Sequence, residues 1–281
     1  MKKLLIILIL IFASCSTAPK STGDIFFLRA QAEEGMETAN REAAKGNFEL
    51  ALSLLTSFKR NAILADDPSL IIRVSLSRGN VLFLLNRLDE AFAEWDYAIA
   101  EAQRLGNAEL LSVSRVYRAR GNLVSGRAQA QSVLDDVNRE SANIRANRIY
   151  IAFSWQVRGL ALRSLALYRE AEHAMLQSLA IHERDMHLEN ASYDWYTIAS
   201  IRSLAGDLQG SLRALEQSIA IDRRIENSWG LAANYRAMGD VYRKTGQNPE
   251  ALFAYERARS IYIALGNDHE ISEINRRILN Q

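Results

Sequence analysis

From about residue 25 onward, the chain alternates between amphipathic segments of helical spacing and short turns. The clearest example is 232–261, where Tyr235 and Tyr242 fall on one segment, Gly246 marks a turn, and Ala258 falls on a second segment. Strand-like alternation is scarce, and the whole chain contains only three prolines. Apolar residues that recur every three or four positions indicate helices packed by one face. The pattern therefore predicts an all-α protein built from consecutive helix pairs.

Small residues recur at one fixed point of each first helix and one of each second helix. Antiparallel helices approach closely where small side chains meet. The first-helix positions are Ala39, Gly79, Ser114, Gly159, Ala199 and Gly239. The second-helix positions are Ala51, Ala91, Gly126, Ala171, Ser211 and Ala251. The turns between them carry Gly46, Asn86, Gly121, Ala166, Gly206 and Gly246, a set rich in residues that tolerate the left-handed conformation past a helix end. Agreement at several independent positions predicts six units in register.

The order of aromatic, glycine, tyrosine, turn glycine, alanine, aromatic and alanine in 232–261 resembles the tetratricopeptide repeat (TPR) signature. The repeat starts fall near residues 32, 72, 107, 152, 192 and 232, with spacings of 40, 35, 45, 40 and 40. The resemblance is to long-repeat TPR proteins, whose units run near forty residues. It implies a right-handed superhelical solenoid over residues 25–281. Apolar residues at Ile271, Ile274 and Ile278 predict a final amphipathic helix at 268–279 that caps the solenoid. The third unit matches least well, which predicts a bend there.

The first fifteen residues have the organisation of an export signal. Lys2 and Lys3 precede an unbroken apolar run over 4–13, and small residues follow it. Ten helical residues rise about 15 Å, half of a roughly 30 Å hydrocarbon core. A membrane span in the mature protein is therefore not expected.

The residues Phe12-Ala13-Ser14-Cys15 resemble the bacterial lipobox, although the family usually has Leu, Val or Ile where Phe12 stands. The resemblance implies a signal peptide over 1–14 and a lipidated Cys15, with palmitate among its fatty acids. It also implies a flexible tether over 15–24 and anchoring to the bacterial envelope, on the outer membrane facing the periplasm. An ordinary secretory signal with an incidental cysteine is the alternative. Cys15 is the only cysteine, so an internal disulfide is excluded.

Composition excludes several classes of protein. The chain has 281 residues, of which 48% are hydrophobic, as in a folded protein rather than a disordered one. Lys and Arg number 34 and Asp and Glu number 33, for a net charge of +1. A nucleic-acid binder would show a strong positive field, so nucleic acid is not an expected partner.

No motif predicts catalysis, a cofactor or a metal. The sequence lacks a glycine-rich phosphate loop and a recognisable nucleophile elbow. His182 and His187 are five residues apart, and five residues turn a helix by about 500°, which leaves their rings about 140° apart. One metal ion is then not expected to bind both histidines. The sequence predicts a protein that is not an enzyme.

The TPR resemblance implies that the first helix of each unit lines a concave groove where a peptide binds. The groove residues expected from the repeat register are Arg115, Arg118, Phe153, Gln156, Arg163, Tyr193, Tyr196, Arg236 and Arg243. Arginine binds carboxylates bidentately and aromatic rings supply rigid apolar contact, which favours a segment bearing acidic residues or a free C-terminal carboxylate. The alternative is that these residues are solvated and serve solubility. Met36, Leu76, Phe83 and Leu84 make the first two units more apolar, which suits an apolar helix or another subunit.

Three functional interpretations follow. The first is a lipid-anchored docking scaffold for another envelope or secreted protein, similar in size to the TPR pilotins that assist pilus secretin assembly. The second is a ligand-handling accessory to a periplasmic transport system. The third is an enzyme with an unfamiliar site. Membrane contact is expected through the lipid alone, and self-association stays open.

Overall fold

The computed structural model describes residues 22–279, which form thirteen α-helices and no strand. The odd-numbered helices are α1 (Thr22–Ala44), α3 (Pro68–Leu84), α5 (Ala108–Val124), α7 (Arg148–Ser164), α9 (Leu188–Ala205), α11 (Ser228–Lys244) and α13 (Asp268–Leu279). The even-numbered helices are α2 (Phe48–Leu64), α4 (Leu88–Leu105), α6 (Ala130–Ser141), α8 (Tyr168–Arg184), α10 (Leu208–Arg224) and α12 (Asn248–Ala264). Each helix packs on its sequence neighbours, and α13 packs on α12. The predicted all-α solenoid with a capping helix is confirmed.

The N-terminal predictions fall largely beyond the part of the chain that the structure describes. The predicted signal peptide, Cys15 and the tether up to residue 21 lie outside it. The last three tether residues, 22–24, are instead the first turn of α1, which begins at Thr22. Asp24 is well placed in that turn because a carboxylate is favourable at a helix N-terminus. Among residues 22–279, no helix combines the length and apolar content that a membrane crossing requires.

The turns recur at intervals of twenty residues, and nearly all of them use one left-handed residue. The left-handed positions are Gly46, Asp66, Asn86, Gly106, Gly126, Ala166, Met186, Gly206, Glu226, Gly246 and Gly266. In the first turn the amide of Asn47 donates to the carbonyl of Glu42 at 2.9 Å, while that of Gly46 donates to Ala43 at 3.0 Å. This is the Schellman pairing, which satisfies the free carbonyls of a helix end.

The third unit lies in a different register from the one predicted. Helices α3, α5, α7, α9 and α11 start at residues 68, 108, 148, 188 and 228, forty residues apart, so the predicted spacings of 35 and 45 are wrong. The turn after α5 is at Gly126, with φ of +71°, whereas Gly121 lies inside α5. Ala119, forty residues from both Gly79 and Gly159, takes the first-helix position that was predicted for Ser114.

Helix α6 is the irregular element of the solenoid. In α4 the buried positions include Ala91 and Trp95, and in α6 the buried apolar positions are Val133 and Val137, which lie 42 rather than 40 residues later. Helix α6 has 12 residues, whereas α8 has 17. The position after α6 that would continue the series of left-handed turns, residue 146, is not left-handed. The third unit is therefore distinct because α6 is short and shifted by two residues.

Trp95 fills the space that the small residues of two odd-numbered helices leave open. Its side chain is fully buried, and a Cβ atom built on Gly79 would lie 2.3 Å from the indole Nε1. A Cβ atom on Gly121 would lie 2.2 Å from the far edge of the same ring. Gly79 and Gly121 therefore let α3 and α5 close on the indole of α4. Gly121 is small because of this contact and not because it forms a turn.

The two ends of the described chain meet. The ring of Phe48, at the start of α2, packs edge-on against Trp229 of α11 with 5.0 Å between ring centroids. Trp229 also packs edge-on against Tyr262 of α12 at 5.8 Å, and α1 lies against α11. The first and last units are therefore in contact, and the odd-numbered helices surround a common interior.

The two glycines of the third unit give a test of its register. Gly121→Ala should lower the free energy of unfolding by about 1–3 kcal/mol, because the added methyl group overpacks the buried indole of Trp95. Gly126→Asn should change it little, because nothing lies within 4 Å of that position and Asn tolerates the left-handed conformation. Urea unfolding followed by circular dichroism measures both. The reverse order of effects would restore the register in which Gly126 is the packed position.

Candidate functional site

The odd-numbered helices form the inner layer of the solenoid. In a two-layered superhelix, the inner helices approach one another more closely than the outer ones. Consecutive odd-numbered helices contact each other from α1 to α11, and no contact of similar extent joins consecutive even-numbered helices within residues 22–279. The surface that the odd-numbered helices turn toward the interior is called the inner groove below.

Two hydrogen bonds between neighbouring odd-numbered helices mark the wall of the inner groove. Arg163 of α7 donates from Nη1 to Oγ of Ser200 on α9 at 3.3 Å. Lys244 of α11 donates from Nζ to Oγ of Ser203 on α9 at 2.8 Å. Ser200, Ser203 and Lys244 also line a cavity of about 190 Å³ between α9, α10 and α11, together with Tyr196. The predicted groove residues Arg163 and Tyr196 therefore share one surface.

Arg236 and Arg243 lie on this surface, but both are already paired with carboxylates of the protein. Arg236 forms an ion pair with Glu270 of α13 and a hydrogen bond with Tyr196. Arg243 lies 3.9 Å from Asp240, whose carboxylate also accepts from the hydroxyl of Tyr255 at 2.7 Å. The capping helix is therefore attached to α11 by two ion pairs, Arg236 with Glu270 and Asp240 with Arg277, whereas Arg243 contacts only Asp240 of its own helix.

Aromatic rings and one amide complete the predicted set. Phe153 stacks on Tyr117 of α5 with 4.2 Å between ring centroids, and burial raises the pKa of Tyr117 above its usual range. Tyr193 is half-buried, and its hydroxyl makes no hydrogen bond within residues 22–279. Gln156 is 6% exposed and donates from Nε2 to Oδ1 of Asp194 at 2.7 Å. Phe153 and Tyr193 can contact a partner, whereas Gln156 joins α7 to α9.

Arg115 and Arg118 do not belong to the inner groove. Arg115 pairs with Glu140 of α6 at 3.3 Å, and Arg118 pairs with Asp96 of α4. Both arginines line a polar recess against α6 that also contains Arg139. The five-residue error in the register of α5 turns the helix by about 500°, which displaces the predicted face by about 140°. Arg115 and Arg118 therefore face the even-numbered helices.

The corrected register identifies Arg120 as the groove residue that the sequence prediction missed. Arg120 stands forty residues before Leu160 and eighty before Ser200, so it has the same place in its unit. Its charge acts on the phenol of Tyr117, which places it beside the Phe153 stack. It forms no ion pair with another residue of the described range. An unbroken forty-residue period, had it been imposed on the sequence, would have found it.

A buried cluster joins α8 and α9 and has the composition of a catalytic triad. Ser178 and His182 both contact Oδ2 of Asp194, at 2.9 and 2.7 Å, and all three residues are at most 1% exposed. In serine hydrolases the serine bonds Nε2 of the histidine while the aspartate bonds Nδ1. Here Ser178 Oγ lies 3.3 Å from Nδ1, the nitrogen that also faces the carboxylate. The arrangement connects two helices and gives no substrate access.

The two histidines His182 and His187 are not placed as the sequence predicted. Helix α8 ends at Arg184 and His187 lies at the N-terminus of α9, so the two histidines are not on one helix. The rings of His182 and His187 meet edge to face, with 6.2 Å between centroids. Within residues 22–279, no third histidine, cysteine, aspartate or glutamate joins them in a metal-binding group.

A second buried cluster repeats the first one unit later, between α10 and its neighbours. Asp222 is fully buried and accepts from Ser192 Oγ at 2.6 Å, Asn227 Nδ2 at 2.8 Å and Asn234 Nδ2 at 2.8 Å. Burial raises the pKa of Asp222 to about 6, although these three donors favour the charged form. Ser218 and Asp222 stand forty residues after Ser178 and His182, so the same interface is polar in two successive units.

Comparison with known proteins bears on the fold. Residues 191–264, which span most of α9 to α12, match the tetratricopeptide repeat family model. The fold is that of a TPR solenoid. No curated protein sequence matches the chain.

Solved structures of similar fold share little sequence with this chain. BtubC (BKLC) from P. vanneervenii is 15% identical over 87% of this chain and 93% of its own length, with a TM-score of 0.56. A Rap protein complexed with Competence and Sporulation Factor is 14% identical over 92% of this chain and 74% of its own, with a TM-score of 0.60. A Podosopora anserina protein with nearly identical TPR-like repeats is 18% identical over 70% of this chain and 97% of its own, with a TM-score of 0.52. At these identities the similarity establishes the fold alone.

The raised pKa of Asp222 gives a pH dependence of known sign. Between its ordinary pKa of 3.8 and about 6, the folded state holds the proton more tightly than the unfolded state. The free energy of unfolding should therefore fall as pH rises through this window, by up to roughly 3 kcal/mol from this group. Asp222→Asn should flatten that part of the profile, measured by urea unfolding between pH 4 and 7.5. The exposed Asp135→Asn is the control and should keep the slope. Equal slopes in the wild type and Asp222→Asn would contradict the assignment.

Proposed function

We propose that this protein is a non-catalytic scaffold that binds an acidic segment of another protein in the inner groove. The observation that supports the proposal is that three cationic side chains on the inner layer lack an ion-pair partner. Arg120, Arg163 and Lys244 have no carboxylate partner within residues 22–279, whereas Arg236 and Arg243 do. Unpaired cations on a surface built from facing helices favour an anionic partner.

The groups around these cations suit a peptide rather than a bare ion. A guanidinium binds a carboxylate with two parallel hydrogen bonds, and an ammonium adds a point charge. The Phe153–Tyr117 stack provides rigid apolar surface beside Arg120, and the half-buried Tyr193 adds an aromatic ring on α9. The matching partner is an extended segment, or a chain terminus, that combines carboxylates with apolar side chains. The Rap protein of similar fold is likewise complexed with another molecule, Competence and Sporulation Factor.

We extend the proposal to the location of the protein. The sequence Phe12-Ala13-Ser14-Cys15 after a short apolar run supports lipidation of Cys15 and anchoring to the bacterial envelope. The partner is then another envelope or secreted protein. The narrower roles, a pilotin-like assembly factor or an accessory to a periplasmic transport system, would use the same groove and stay predictions.

Inner-groove binding can be tested in living cells with a photo-crosslinking amino acid at Tyr193. Crosslinks to one defined protein should appear, and they should be lost in Arg120→Glu/Arg163→Glu/Lys244→Glu because the cations that attract the partner are reversed. Mass spectrometry identifies the joined protein, and binding to the purified partner should weaken as salt is raised.

The control variant is Arg213→Glu/Arg224→Glu/Arg259→Glu, which makes the same change of charge on the exposed side of α10 and α12. It should leave the crosslinks unchanged. Crosslinks that survive the inner variant, or that disappear equally in both, would rule out the groove as the binding site.

Lipid anchoring can be tested by feeding cells an alkyne-tagged palmitate. The wild-type chain should carry the label and sediment with membranes, and Cys15→Ala should lose both because it lacks the thiol that accepts the lipid. An unlabelled wild-type chain that is nevertheless exported would favour an ordinary secretory signal.

A further inference from the structure

A cavity of about 640 Å³ opens between α6, α7 and α8, away from the inner groove. Helix α7 contributes Trp155, Arg158 and Leu162 to its wall. These three side chains point about 150° away from the inner-groove side of the same helix, at about one hundred degrees per residue. The cavity is therefore separate from the surface to which the proposed function is assigned.

The irregularity of α6 accounts for the opening. Helix α6 has 12 residues and α8 has 17, so the outer wall beside α7 is shorter than in the next unit. Leu134 and Asn138 are the residues that α6 contributes to the cavity. The other side is formed by α8, through Arg169, Glu170, His173 and Ala174.

Arg158 is the unusual residue of this cavity. Its guanidinium lies 4.3 Å from the centre of the Trp155 ring, and its Nε atom is buried without a hydrogen-bond partner. Burial lowers the pKa of Arg158. A buried donor without an acceptor costs free energy, and such groups are rare in folded proteins.

The rest of the lining combines unpaired charge with apolar surface. Arg169 and His173 form no ion pair within the described range, and Glu170 is the one carboxylate in the lining. Leu134, Trp155 and Leu162 supply the apolar part. A cavity of this size, mainly apolar and with a few convergent polar groups, is typical of small-molecule sites.

The next unit shows that the fold does not require these residues. Forty residues later, Trp195 repeats Trp155, but Ile198 stands in the place of Arg158 and is fully buried. Arg202 stands in the place of Leu162, and it is paired with Glu172 of α8 at 2.7 Å. The same position of the repeat can thus hold an apolar side chain, so packing alone does not explain Arg158.

We infer that this cavity binds a small organic carboxylate with an apolar or aromatic body. The carboxylate would pair with the guanidinium of Arg158, whose burial and lack of an internal partner favour an anion there, with Arg169 and His173 adding positive charge. The body would lie on Trp155, Leu134 and Leu162. This site does not depend on the inner groove, and its ligand is a small molecule rather than a protein segment.

Isothermal titration with three probes tests the inference on the purified chain. 4-Phenylbutyrate, octanoate and benzoate provide carboxylates on bodies of different shape, and 4-phenylbutanamide is the uncharged match of the first. At least one carboxylate should bind saturably at one site per chain. If that probe is 4-phenylbutyrate, the amide should bind at least tenfold more weakly. Absence of saturable binding by all three carboxylates, or equal binding of 4-phenylbutyrate and its amide, would overturn the inference.

Two variants locate the binding. Arg158→Ile, which introduces the residue type that Ile198 provides in the next unit, should stay folded by circular dichroism and lose at least tenfold in affinity. Arg213→Gln removes an exposed arginine at the position of α10 that corresponds to His173 of α8, and it should bind as the wild type does. If Arg158→Ile is unfolded, Arg169→Gln replaces it and should weaken binding severalfold. Unchanged affinity in the folded arginine variant would place the carboxylate elsewhere and refute the site.

Discussion

The arrangement of this protein depends on a constant phase between successive helices, that is, a constant number of residues from one helix to the same position in the next. A left-handed residue closes nearly every turn at an interval of twenty residues, which returns the same face of each odd-numbered helix to the interior. Small residues then allow the odd-numbered and even-numbered helices to close on large side chains such as Trp95 and Tyr255. Because side chains advance by about 100° per residue, an error of a few residues in one helix would move its groove face into the core. Phase therefore determines both stability and the composition of the inner groove.

The cavity that contains Arg158 lies where the constant phase is interrupted, beside α6. Helix α6 is short and its buried positions come two residues late, and the cavity with Arg158 lies beside it. Helices α5 and α7 still start forty residues apart. The two-residue shift is therefore confined to α6 and the turns on either side of it. A local departure from the repeat thus creates a recess without disturbing the inner layer.

The fold can be predicted from local patterns in the sequence, but the candidate site can be predicted only in part. The recurrence of small residues and turn glycines is local and predicts helices, pairing and the capping segment. Its weak point is that Gly121 and Gly126 are both glycine, five residues apart, and only the contact of Gly121 with Trp95 distinguishes packing from a turn. That contact joins residues of different units, so no local pattern reveals it.

The same reason explains why the sequence could not show which of the predicted groove residues already have a partner within the protein. Arg236 is held by Glu270 and Gln156 by Asp194, partners that lie more than thirty residues away in the chain. Residue type and repeat position place a side chain on a face, but its availability depends on what the neighbouring helix presents. Arg120 has no ion-pair partner within residues 22–279 and Arg236 has one, although both lie on the inner layer of the same repeat.

Helix α7 brings the two proposed binding surfaces together. Phe153 and Arg163 point to the inner groove, Trp155 and Arg158 point to the outer cavity, and Gly159 lies in the packed seam against Met175 of α8. A Cβ atom on Gly159 would lie 2.6 Å from the sulfur of Met175, so α7 and α8 are in close contact at this point. The helix is a single continuous element of 17 residues. A displacement of α7 at one surface would therefore be transmitted along the helix to the other, and any coupling between the two ligands would be equal in both directions.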